Sequence, residues 1–166
     1  MKFPDIPKLQ DTKEAKEKFD NLIKWIGKDS DAIRKGRFEF ENVNFILGLS
    51  FIDIQYSPID ELDRLIMEAE SCIVQLQVYE NHVDRVLAFV DAELSRAVAM
   101  IYPGLLKDQF GKEAKVYTLA EHYPVVAWLR DNGEFYQQYK LNLTGIVKTL
   151  EYRRETLIRR HNARTD

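Results

Sequence analysis

The sequence predicts a mainly α protein: a long antiparallel helical hairpin, packed as a coiled-coil-like bundle, with a small N-terminal α+β appendage. Three observations predict it. Apolar residues step by three and four without a lapse from Leu62 to Ile101. A second stripe with the same spacing runs through Tyr136, Tyr139, Leu143, Ile146, Leu150 and Leu157. Before both, residues 37–56 are dense in aromatic and β-branched residues that alternate in the manner of strands.

The totals agree with a folded chain. Of 166 residues, 45% are hydrophobic and 31% charged, enough for a core under a well-charged surface. Net charge is -3, which gives no overall signature of a polyanion binder. Charge is unevenly distributed, however. Residues 1–83 hold 11 Lys and Arg against 16 Asp and Glu, and residues 84–166 hold 13 against 11. Cys72 is the single cysteine, so no disulfide forms within the chain, which fits a reducing compartment. The segment Met1-Lys2-Phe3-Pro4-Asp5 has no apolar run of a signal peptide, and no stretch is apolar enough to cross a bilayer. The expectation is a cytoplasmic protein with no membrane contact, in the host cytoplasm if a phage encodes it.

Along the chain, Pro4 and Pro7 mark residues 1–10 as an extended lead-in. Asp11, Thr12 and Glu14 then open a helix carrying Ala15, Phe19, Leu22, Ile23 and Ile26 on one face, with Gly27 placed to end it. Phe38 and Phe40, then Leu47, Leu49 and Phe51, then Ile52, Ile54 and Tyr56 alternate, so a strand pair bent near residues 42–44 or Gly48 is expected. Residues 1–57 thus form a helix plus β-hairpin appendage, and residues 58–166 the long-helix domain.

Pro58 suits a first helical turn, and Asp60, Glu61 and Asp63 complement the positive end of a helix dipole. Three heptad rows follow. They are Leu62, Ala69, Leu76, Val83, Val90, Ala97; Leu65, Cys72, Tyr79, Val86, Glu93, Met100; and Ile66, Ile73, Glu80, Leu87, Leu94, Ile101. With no internal Gly or Pro, they make one helix of about 40 residues, ~60 Å long, ended by Tyr102-Pro103-Gly104. Residues 105–122 are less regular but helical, and Pro124 starts the next helix. Asp131-Asn132-Gly133 reads as a turn or a weak point in it. Three apolar positions per heptad exceed a two-stranded seam. Leu62, Ile66, Ile73, Leu76, Val83, Leu87 and Leu94 are therefore expected to meet neighbouring helices from other copies of the chain.

No residues assemble into a familiar catalytic or metal motif. His82, His122 and His161 lie on separate elements, without a second ligand at helical spacing. Cys72 falls in a core row, where it acts as a small apolar residue. Glu80 and Glu93 interrupt core rows; they set register or meet a basic residue, such as Arg96 or one from a partner helix, rather than act as an acid–base pair. No enzyme activity, metal or cofactor is expected. The best functional candidate is the basic run Lys140, Lys148, Arg153, Arg154, Arg159, Arg160 and Arg164, opposed between those limits only by Glu151 and Glu155. Arginine's planar fork suits phosphate. Trp128, Phe135, Tyr136, Tyr139 and Tyr152 on the same segment supply the aromatic platforms that single-strand binders place beside a basic track. The same residues also fit a second reading, in which the cations stabilise a helix C-terminus and the tyrosines are core.

From about residue 58 onward, over roughly two-thirds of the chain, the layout resembles the UvsY-type recombination mediators of tailed bacteriophages. The resemblance rests on the long Ala-containing helix, the Tyr-Pro-Gly break at 102–104, Lys-Glu-Ala-Lys at 112–115, and a second long helix with Trp128, Tyr136, Tyr139 and a basic tail. The resemblance implies a homo-oligomer, ring-shaped in the manner of that family, that binds single-stranded DNA and helps a recombinase displace a single-strand-binding protein. It implies no cofactor and no bond-making step. Residues 1–57 have no counterpart in it. The alternative is a structural or adaptor protein, such as a phage virion component or a protein-binding inhibitor, in which the heptad faces are the function.

Overall fold

The computed structural model describes residues 3, 5–24, 41–105 and 111–165. Among them the chain is a mainly α helical bundle with no strand. Its helices are α1 (Pro7–Gln10), α2 (Lys13–Ile23), α3 (Glu41–Gly48), α4 (Phe51–Tyr56), α5 (Ile59–Leu105), α6 (Lys112–Ala120) and α7 (Pro124–Thr165). No helix among the described residues is long and apolar enough to cross a membrane.

The expected strand pair is corrected where it is described. Residues 41–48 and 51–56 are helical, and the expected strand residues 37–40 lie outside the described residues. Two physical reasons override the alternation. Val43 and Ile46, both fully buried, stand three apart and share a helical face. Ser50 then starts α4 with a capping box: its hydroxyl accepts from the Asp53 N–H at 3.1 Å, and the Asp53 carboxylate accepts from the Ser50 N–H at 2.8 Å. The lead-in is corrected too, because Pro7 sits at the first turn of α1. The break expected at 102–104 lies inside α5, whose helix runs to Leu105, and Gly27 lies outside the described residues. Asp131-Asn132-Gly133 neither turns nor breaks α7.

The chain forms two compact units. One unit comprises Met1–Trp25 and His82–Gln138, the other Ile26–Asn81 and Tyr139–Asp166. Both long helices contribute to both units.

In the first unit, α2 docks through Phe19, which is 2% exposed. Its ring meets Trp128 edge-on at 5.1 Å and Tyr136 at 5.5 Å, with Phe89 at 6.4 Å. Residues of α5 and α7 pack closely here: a Cβ placed on Gly133 would stand 3.1 Å from Val90 Cγ1. Lys112 of α6 pairs with Asp91 of α5 at 2.5 Å, and Tyr117 of α6 donates to Glu134 of α7 at 2.8 Å. A tight connection joins α6 to α7, with the Tyr123 N–H donating to the Leu119 carbonyl at 2.9 Å.

In the second unit, α5 and α7 run antiparallel in constant register. Asp63 meets His161 at 3.1 Å, Glu70 meets Arg154 at 3.9 Å, and Glu80 meets Thr144 at 2.5 Å. Each advance along α5 is matched by an equal retreat along α7. Between them lie Leu62, Leu76, Leu143, Leu150 and Leu157, all at 0% exposure. Among the described residues the protein core contains no buried polar or charged residue.

Candidate nucleic-acid interface

The basic run Lys140–Arg164 lies on the part of α7 that belongs to the second unit. Helical geometry sorts its members, since residues three, four and seven apart share a face. Lys148, Tyr152 and Arg159 fall on the outward face, and Tyr152 is 68% exposed. Arg153 is half-buried beside them. Arg159 has a loose pair with Glu155, 3.6 Å away. No ion pair engages Lys148 or Arg153 among the described residues. Lys140 is half-buried and takes part in interactions within the chain.

The other three arginines are held against the chain itself. Arg154 faces Glu70, and its Nε is buried without a hydrogen-bond partner. Arg160 donates through Nε at 3.2 Å and Nη2 at 2.8 Å to the carbonyl of Gln55. Arg164 donates through Nη2 to the same carbonyl at 2.7 Å, and through Nη1 to the carbonyl of Ser57. These carbonyls end α4, where helix geometry leaves acceptors without intrahelical donors. The sequence could not show that two arginines of the run satisfy them, because the partners lie more than a hundred residues away.

Of the aromatic platforms, Tyr136 and Tyr139 are core, 4% and 1% exposed. Trp128 packs on Phe19, and Phe135 stands edge-on to Tyr136. Tyr152 alone of the five is exposed. The members of the basic run and its aromatic neighbours that these contacts do not hold against other helices or the core are therefore Lys148, Tyr152, Arg153 and Arg159.

Compared with protein-family models, curated proteins and solved structures, the chain matches none of them.

The residues expected to meet other copies divide in the same way. Leu62, Leu76 and Val83 are 0% exposed and Ile73 is 5% exposed, each covered by the chain's own helices. Ile66, Leu87 and Leu94 are half-buried. The large apolar side chains that α5 leaves exposed in the second unit are others: Met67 at 71%, Val74 at 61%, Val78 at 49% and Ile59 at 37%. Met67, Val74 and Val78 stand seven and four apart on one face, outside the three apolar heptad rows.

Glu93 and Glu80, the two interruptions of the core rows, are half-buried and partnered. Glu93 pairs with Arg96 at 2.6 Å, the basic residue expected for it, and Glu80 accepts from Thr144. Cys72 is buried, and burial together with the charge of Glu68 pushes its thiol pKa up. No group of His, Cys, Asp and Glu is clustered to hold a metal ion among the described residues.

Proposed function

We propose that this chain is a non-catalytic, self-assembling DNA-recombination or replication accessory that binds single-stranded DNA along the outer face of α7. The observation that carries the reading is Tyr152: a large aromatic ring, 68% exposed, one turn from Lys148 and two turns from Arg159. A base stacks on such a ring while the flanking cations hold its phosphates. Repetition of this small site around an oligomer adds weak contacts by multivalency. A recombinase and a single-strand-binding protein are the partners that the resemblance to UvsY-type mediators supports.

The test is binding of a labelled oligonucleotide as a function of salt. Affinity should fall with salt on a log–log slope of about -0.7 per phosphate contacted. Replacing Lys148, Arg153 and Arg159 by Glu should abolish binding, and Tyr152→Ala should weaken it by roughly 1–3 kcal/mol. Absence of affinity in the wild type at low salt removes the proposal.

The exposed row Met67, Val74 and Val78 favours a second reading, a structural or adaptor protein whose helix face meets another protein. A chain that assembles or captures a partner with nucleic acid removed, and shows no oligonucleotide affinity, supports that reading over the first.

A further inference from the structure

Arg160 and Arg164 stand one turn apart on α7 and converge on a single oxygen, the carbonyl of Gln55, at 2.8 Å and 2.7 Å. Their Nη2 atoms therefore lie no more than about 5.5 Å apart, close enough for two like charges to repel. A carbonyl satisfies hydrogen bonds but carries no formal charge. Three acids of the same unit are paired elsewhere: Asp63 meets His161, Glu70 meets Arg154, and Glu155 meets Arg159. Neither Arg160 nor Arg164 has an ion-pair partner among the described residues. Both also keep donors that no described group accepts, Nη1 on Arg160 and Nε on Arg164.

We propose that Arg160 and Arg164 form a binding site for a phosphate-class oxyanion, with the Gln55 and Ser57 carbonyls as positioning groups. A phosphate offers several acceptor oxygens, so it bridges the two guanidinium groups and cancels their repulsion. The side chains are already ordered by the carbonyls, so binding loses little rotamer freedom. The inference rests on the single-strand reading for the source of the phosphate, a DNA backbone, and not for the existence of the site.

The experiment is thermal unfolding in inorganic phosphate against chloride at equal ionic strength. The wild-type Tm should rise by about 4 °C at a phosphate concentration roughly ten times Kd. Arg160→Gln and Arg164→Gln should start lower, because α4 loses its caps, and should show no phosphate-specific rise. Arg164→Lys keeps the charge without the planar fork and should show a rise at most half as large, a readout that survives if the glutamine variants fail to fold. Replacing Lys148, Arg153 and Arg159 by Gln should leave the rise intact. An equal rise in chloride and phosphate, or an undiminished rise in Arg160→Gln, overturns the site. If phosphate raises Tm and also displaces a bound oligonucleotide, the site is upheld with the DNA backbone as its anion. If phosphate raises Tm while the wild type binds no oligonucleotide, the site is upheld for free phosphate and the single-strand reading alone falls.

Discussion

The hydroxyl of Thr144 donates to the carboxyl of Glu80 at 2.5 Å, joining α7 to α5 where the sequence breaks its own apolar row. Both residues are half-buried, so the carboxyl has limited access to water. Thr144→Val removes the donor and should cost about 1–2 kcal/mol in urea unfolding. Adding Glu80→Leu should recover most of that loss, because leucine fits the row that Ile73 and Leu87 occupy. A neutral Thr144→Val would mean that water already serves the carboxyl.

Two glycines of α7 make a matched pair. Gly145 faces open space, so Gly145→Ala should gain close to 1 kcal/mol from helix propensity alone. At Gly133 a new Cβ would sit 3.1 Å from Val90 Cγ1, and Val90 is 3% exposed with a stiff χ1. Gly133→Ala should therefore gain nothing or lose stability. Equal gains at the two sites, read as shifts in urea midpoint, would contradict the close approach of Val90 and Gly133.

Phe19 is the one buried side chain of α2. Phe19→Ala should cost about 3–4 kcal/mol, since it removes a ring packed against Trp128 and Tyr136. Hydrogen exchange should show α2 amides losing protection before those of α7. A uniform loss of protection would instead mean that α2 and its unit unfold together.

Asp53 gives α4 an acid sensitivity. Hydrogen bonds from Ser50 hold its pKa below the usual aspartate value. A lowered folded-state pKa stabilises the fold above the ordinary value, and that contribution is lost as the pH falls through the lowered one. Helicity of α4 should thus fall on acidification past about pH 4. Ser50→Ala should cost about 1 kcal/mol at neutral pH and flatten that acid response. An unchanged acid profile in Ser50→Ala would assign the response to another carboxylate.

The period of α5 was legible because each residue of its first row, from Leu62 to Ala97, ends at 3% exposure or less. The second stripe was legible for the same reason, with Leu143, Leu150 and Leu157 fully buried. Residues 41–56 mislead because apolar residues are too dense there to fix a period; the Ser50-to-Asp53 capping signature is the local signal that marks α4 as a helix. Gly133 looked like a turn because spacing along one helix does not reveal which helix lies opposite. The candidate interface was legible as a basic run but not as a surface. Only the meeting of α7 with the end of α4 separates Arg160 and Arg164, which hold carbonyls, from Lys148 and Arg159, which face outward.

The antiparallel register in the second unit also sets an order of events as the chain folds. Glu80 and Thr144 are 64 residues apart, whereas Gln55 and Arg160 are 105 apart. Closing the longer loop outright is harder by only about 0.4 kcal/mol, but once the nearer pair has met, the farther one closes a short gap. The helices should therefore zip toward α4 and fray from it. A nascent polypeptide must release Arg160 from the ribosome before α4 receives its arginine caps, leaving Ile54, the buried side chain of α4, among the last apolar groups to be locked in place.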